Sequence, residues 1–164
     1  MHNSVKTILL IACLTQTAAA HSTQKVDLVV VNKSERELIL MSNGMELKSY
    51  RIALGKNPVG HKQQEGDQKT PEGHYVLDYK KPDSAFYKAI HISYPNAADT
   101  AQAQKRGVSP GGFIMIHGQK NGFGWLGSIT QKRDWTEGCI AVKNSEMEEI
   151  WQLVDINTPI QINP

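Results

Sequence analysis

The chain has 164 residues, 40% of them hydrophobic and 21% charged, which is ordinary globular usage and excludes a disordered or fibrous protein. That length holds one domain. Eighteen Lys and Arg against sixteen Asp and Glu leave a net charge of +2, too small and too evenly spread for a nucleic-acid binder. No apolar run reaches the roughly 20 residues that span a bilayer.

Residues 1–20, MHNSVKTILLIACLTQTAAA, open with a short segment carrying Lys6, continue through an apolar stretch from Ile8 to Leu14 and close on Ala18-Ala19-Ala20. This layout predicts a secretory signal peptide cleaved after Ala20, with residues 21–164 exported to the bacterial periplasm as a single domain. Leu10-Ile11-Ala12-Cys13 also resembles a lipobox. Anchoring at Cys13 would leave an apolar region of only six residues, 7–12, below the roughly 7–15 of a leader. Once the leader is removed, Cys139 is the only thiol. An unpaired cysteine in an oxidising compartment is an intermolecular bridge, an inert buried side chain or a reactive thiol.

The β-branched run 26–31 and the segment 37–41 read as strands on either side of the polar turn Lys33-Ser34-Glu35-Arg36. Asn43-Gly44 is a two-residue hairpin signal leading into a strand over 46–54. Residues 55–70 form a polar loop of a length that is functional or mobile in compact domains. Strands follow at 73–79 and 89–94. A helix is predicted over 97–106, with Asn96 as N-cap and Gly107 just past its end. An apolar strand at 113–117 follows the turn Ser109-Pro110-Gly111-Gly112, then a glycine-rich loop over 118–138 and a strand at 139–142. Ser145 and Glu148 have capping-box spacing, and Met147, Ile150, Trp151 and Val154 fall on one helical face. Thr158-Pro159 ends that helix, and 160–162 closes the sheet. The fold class is mainly β, with sandwich-like or barrel-like mixed sheets and one or two short helices.

Cys139 lies in Thr136-Glu137-Gly138-Cys139-Ile140-Ala141-Val142. A nucleophilic thiol needs a base within hydrogen-bond reach and backbone N–H groups aimed at the developing oxyanion. A glycine-flanked turn entering a strand can supply those donors; the bland alternative is a cysteine packed in its strand. Of the histidines in the body, His61 sits in the polar loop and reads as solvated, while His74 and His91 read as hydrogen-bonded or exposed strand residues. His117 ends an apolar strand and opens the glycine loop, a good place to meet Cys139 and take its proton as a thiolate–imidazolium pair. No carboxylate or amide neighbour is an obvious third member, which leaves a backbone carbonyl to orient the ring. There is no HExxH, no CxxC and no Walker or Rossmann glycine pattern, so no metal or organic cofactor is expected.

His117-Gly118 followed by Thr136-Glu137-Gly138-Cys139 resembles the catalytic motif of YkuD-type L,D-transpeptidases. Thr70-Pro71-Glu72-Gly73 is similar to the family's upstream Thr-Pro-x-Gly element, and the run from Gly111 to His117 to the strand that delivers the histidine. The resemblance implies peptidoglycan chemistry: attack on a stem peptide after its third residue, usually diaminopimelate, a thioester on the cysteine, and transfer to an amine or to water. By position it implies Cys139 as nucleophile, His117 as general base, the Gly118 carbonyl as partner of the imidazole, and the N–H groups of Gly138 and Cys139 as oxyanion donors. Two positions depart from the motif: Glu137 stands where histidine is usual, and Ala141 where Arg or Asn is usual. A substrate-binding cation would then come from Lys132, Arg133 or Lys143. Tyr94, Thr136, Trp125 and Trp135 are further candidates for substrate contact. Hydrolysis at the same site, as a carboxypeptidase or an endopeptidase, and a non-catalytic cell-wall binding domain are the competing readings. The expected partner is the peptidoglycan stem peptide, with no nucleic acid and no stable membrane span; acyl acceptor and oligomeric state stay open.

Overall fold

Alternation of buried and half-buried side chains shapes the N-terminal part of the sheet. A computed structural model describes residues 25–164; the expected leader, with Cys13, lies outside them. Strands β1 (Leu28–Asn32), β2 (Glu37–Ser42) and β3 (Met45–Arg51) form an antiparallel meander. Val29, Val31, Leu38 and Leu40 are fully buried between half-buried neighbours, the two-residue period of a sheet packed on one face. Asn43 and Gly44 join β2 to β3 at φ values of 52° and 76°, the left-handed pair that a tight hairpin requires.

The remaining strands are β4 (Gly73–Ser84), β5 (Tyr87–Ile92), β6 (Met115–His117), β7 (Ile140–Ala141) and β8 (Thr158–Asn163). All belong to one eight-stranded sheet in the order β3-β2-β1-β8-β4-β5-β6-β7. The β1–β8 and β6–β7 pairs are parallel and the others antiparallel. The barrel-like form of the expected fold is the one adopted. Just past β3, Ala53 and Ala141 exchange backbone hydrogen bonds of 2.9 and 2.8 Å, so the two ends of the sheet meet.

Helices α1 (Ala97–Lys105), α2 (Gly127–Thr130) and α3 (Asn144–Leu153) complete the fold. α1 starts at Asn96 as the sequence predicts, with Asn96 and Asp99 capping each other at 3.0 Å in both directions. α3 begins earlier than the Ser145/Glu148 spacing predicts. Glu146 accepts the Lys143 N–H at 2.9 Å, while Glu148 is drawn away to the Lys88 ammonium and the Tyr87 hydroxyl. Thr158-Pro159, expected as a helix stop, instead opens β8, because α3 has already ended at Leu153. The segment 118–138 is not all loop: it contains a 3-10 turn (Gly124–Leu126) and α2. β4 runs past the expected end at Tyr79 to Ser84. Met147 and Ile150 of α3 are fully buried, as are Ile90 and Ile92 of β5, the strand α3 packs against; each such side chain contributes about 1.5–3 kcal/mol.

The polar segment 55–72 is tied down by two buried lysines. Lys33 donates to the carbonyls of Gly60 (2.8 Å) and Thr70 (3.0 Å) and to Glu72 Oε1 (2.7 Å). Lys62 donates to Gln64 O (3.0 Å) and Asp67 Oδ1 (2.8 Å). His61 is not the solvated residue the sequence suggests. Its Nδ1 accepts the Glu72 N–H at 3.0 Å, so the ring hydrogen sits on Nε2, 3.1 Å from Asp99 Oδ1. Burial lowers the Lys33 pKa, and Glu72 opposes it. Removing one member of such a cluster strands the rest. Lys33→Met is expected to lower the urea-unfolding free energy by about 2–4 kcal/mol; a loss below about 0.5 kcal/mol would show the cluster contributes nothing net.

Candidate active site

β6 and β7 bring the two reactive residues together. Ile116 pairs with Ile140 and His117 with Ala141. Both isoleucines are fully buried in the core, and alternation along a strand turns Met115, His117 and Cys139 to the opposite side. There they line one cavity of about 340 Å³, walled by Phe86, Phe113 and Trp135 and edged by Glu137.

His117 is 5% exposed. Its Nδ1 lies 2.7 Å from the Gly118 carbonyl. A carbonyl can only accept, so Nδ1 carries the hydrogen and the lone pair is left on Nε2. Phe86 and Trp135 pack on the imidazole at centroid distances of 4.7 and 5.7 Å. Burial lowers the His117 pKa, and the Gly118 bond partly restores it. Gly118 has no room for a side chain: a Cβ would stand 2.7 Å from Asn144 Oδ1, the atom that accepts the Gln119 N–H at 2.8 Å.

Cys139 is half-buried. Its thiol points to the Phe113 carbonyl at 3.6 Å. Burial pushes the thiol pKa up, against the opposing pull of the Met115 N–H and the Lys62 charge. Each shift, taken by itself, disfavours the charged form of its group. Phe113 adopts φ of 55°, a strained conformation for a bulky residue. It therefore lies before β6, not within the strand expected over 113–117. The twist aims its carbonyl at the sulfur, and the residue, 79% exposed, lines the cavity.

Thr136 organises the turn before Cys139. Its Oγ1 accepts the Gly138 N–H at 3.1 Å and donates to the Cys139 carbonyl at 2.7 Å. Of the two expected oxyanion donors, Gly138 N–H is thus taken up by Thr136, and Cys139 N–H is the one not committed to it. Gly138 has φ of 125°, and a Cβ there would stand 2.7 Å from the Lys69 carbonyl. Glycine alone fits both constraints.

The other candidates divide. Trp135 lines the cavity; Trp125 is 79% exposed and lies outside it. Tyr94 is buried in the core with its hydroxyl on Pro110 O at 3.0 Å. Lys132 and Arg133 line a separate polar hollow with Arg36 and Asp134, and Lys143 is paired with Glu146 at 3.0 Å. None of these three cations lines the cavity of Cys139. Phe86 and Phe113 escaped sequence reasoning, since an isolated phenylalanine carries no signal of a cavity wall; Gly111-Gly112 ahead of Phe113 was the one local hint of unusual backbone. Among the described residues no three His, Cys, Asp or Glu side chains gather as a metal site, and no helix is long and apolar enough to cross a membrane.

Comparison with known proteins identifies the family of the chain. The family model YkuD, L,D-transpeptidase catalytic domain, matches residues 27–162. An Escherichia coli strain K12 protein named "Putative L,D-transpeptidase YafK" is 37% identical over 132 residues, covering 77% of this chain and 46% of that protein. The helical cell shape determining protein Pgp2 from Campylobacter jejuni superposes with a TM-score of 0.64 at 29% identity, over 84% of this chain and 47% of that one. The LD transpeptidase LdtMt1 in complex with imipenem shares the fold, with a TM-score of 0.54 at 16% identity over 83% of this chain and 58% of that one. The chain spans about half the length of the curated relatives it matches. By its family match and its identity to YafK, it belongs to the L,D-transpeptidase catalytic domain family.

Proposed function

We propose that the chain is a cysteine-dependent transferase acting on peptidoglycan stem peptides in the periplasm, passing the acyl group through a Cys139 thioester to an amine. One observation carries this reading: the Gly118 carbonyl holds the hydrogen of His117 on Nδ1 and so leaves Nε2 basic, in the cavity that Cys139 also lines. The Cys139 proton passes to His117 Nε2 as the sulfur attacks the peptide carbonyl, and the Cys139 N–H supports the oxyanion. His117 returns that proton to the departing amine as the C–N bond breaks, leaving the thioester. An incoming amine then gives its proton to His117 and attacks the thioester. Collapse expels the sulfur, which recovers the proton from the imidazolium. Water in place of the amine gives hydrolysis.

Carbapenems acylate the family that this sequence resembles, and they probe the nucleophile directly. Intact mass spectrometry is expected to show one adduct on the wild-type protein and none on Cys139→Ala, with His117→Ala acylated about 10²–10⁴-fold more slowly; an adduct on Cys139→Ala would remove Cys139 from the role. Incubation with a tetrapeptide muropeptide is expected to give dimers or exchanged terminal residues, whereas shortened monomers alone would assign the acceptor as water.

The upward push of burial on the Cys139 thiol pKa also has a consequence for pH. Only the thiolate alkylates, and a raised pKa means that little of it exists at neutral pH. The iodoacetamide rate at Cys139 is expected to be slower than that of free cysteine at pH 7 and to climb steadily through pH 9. A rate that is flat from pH 6 to 8 would instead mark a preformed ion pair.

A further inference from the structure

We propose that Glu137 recognises a primary ammonium group of the substrate. Among the described residues lining the cavity of Cys139, Glu137 carries the one carboxylate, and no Lys or Arg lines it. Elsewhere the walls are mainly apolar (Phe86, Phe113, Trp135), so the charge at the mouth is the feature that discriminates between polar ligands.

The carboxylate is already presented to a cation. Its Oε1 meets the Lys56 ammonium, and its Oε2 accepts from Gln68 Nε2 at 2.8 Å. The two contacts differ in kind. Gln68 is half-buried and held through its own carbonyl by the Asn57 N–H at 3.2 Å, in a left-handed conformation of φ 58°. Lys56 is a flexible side chain 48% exposed, on a carboxylate 64% exposed. Such pairs are weak and readily exchanged. Gln68 therefore fixes the orientation of the carboxylate, while Lys56 occupies a place that another ammonium can take. These same contacts keep the Glu137 carboxyl below its ordinary pKa, hence ionised in the pH range where a primary amine is protonated.

The inference rests on the proposed peptide substrate and names what that substrate must present. A diaminopimelate side chain offers an ammonium on the acyl donor, and an amine acceptor offers one on the incoming group.

Calorimetric titration of Cys139→Ala protein reads recognition without chemistry. A stem tetrapeptide with a free diaminopimelate ammonium is expected to bind about threefold to tenfold tighter than the same peptide acetylated at that nitrogen. Adding Glu137→Gln, which keeps the Gln68 contact, is expected to abolish that preference; adding Lys56→Ala is expected to enlarge it by freeing the carboxylate. In the acceptor arm, the ratio of transfer to hydrolysis with added n-butylamine is compared between wild type and Glu137→Gln. Loss of the binding preference assigns the ammonium to the donor, and a fall in the transfer ratio assigns it to the acceptor. If Glu137→Gln changes neither, the inference is overturned. If the Cys139→Ala protein shows the binding preference but wild type neither cleaves nor transfers, this inference stands and the acyl-transfer reading fails.

Discussion

The site depends on the place where the two ends of the sheet are sewn together. The chain leaving β3 bonds to Ala141 through Ala53, and then flanks Thr136, which donates to Leu54 O at 3.1 Å and accepts the Lys56 N–H at 3.0 Å. One extended segment thereby grips the cysteine turn from both sides. Each bond contributes about 1 kcal/mol net, but together they fix the angle at which Cys139 enters β7. Behind this seam, the buried ammoniums of Lys33 and Lys62 hold segment 55–72, whose Lys69 carbonyl is the atom that excludes any side chain at Gly138. A polar stretch with hardly any apolar content thus acts as the wall behind the turn.

Burial has opposite effects on the two groups that the proposed chemistry uses. It raises the thiol pKa and lowers that of the imidazole, in both cases disfavouring charge. The proposed transfer of the thiol proton to the imidazole therefore works against burial at both ends. The Phe113 carbonyl, aimed from a strained backbone, stands 3.6 Å from the sulfur, where it accepts from a thiol.

The departures from the family motif become intelligible in the structure. Ala141 is fully buried in the seam, its carbonyl taken by both the Ala53 N–H and Gln131 Nε2, so a long cation there would have to displace packed neighbours. The nearby cations do not substitute for it: Lys143 is held by Glu146, and Lys132 and Arg133 line another hollow. Among the described residues lining the cavity, the one that bears a carboxylate is Glu137, itself paired with Lys56 and Gln68.

By itself the sequence determined the local elements and the chemistry-bearing pair. The β-branched run 26–31 and the turn 33–36 marked β1 and β2, Asn43-Gly44 the hairpin from β2 to β3, Asn96 and Gly107 the ends of α1, and the His117-Gly118 and Gly138-Cys139 motifs the residues to watch. These signals are short-range: periodicity, turn chemistry and capping act within a few residues of the chain. Only the tertiary structure decided that 55–72 is held by buried lysines, that Glu148 serves Lys88 and Tyr87 rather than a helix cap, that Thr136 takes up the Gly138 N–H, and that Tyr94, Lys132 and Arg133 do not line the cavity while Phe86 and Phe113 do. Each of those outcomes turns on partners distant along the chain, or on a desolvation balance set by the closed sheet. No local pattern encodes where the two ends of the sheet will meet.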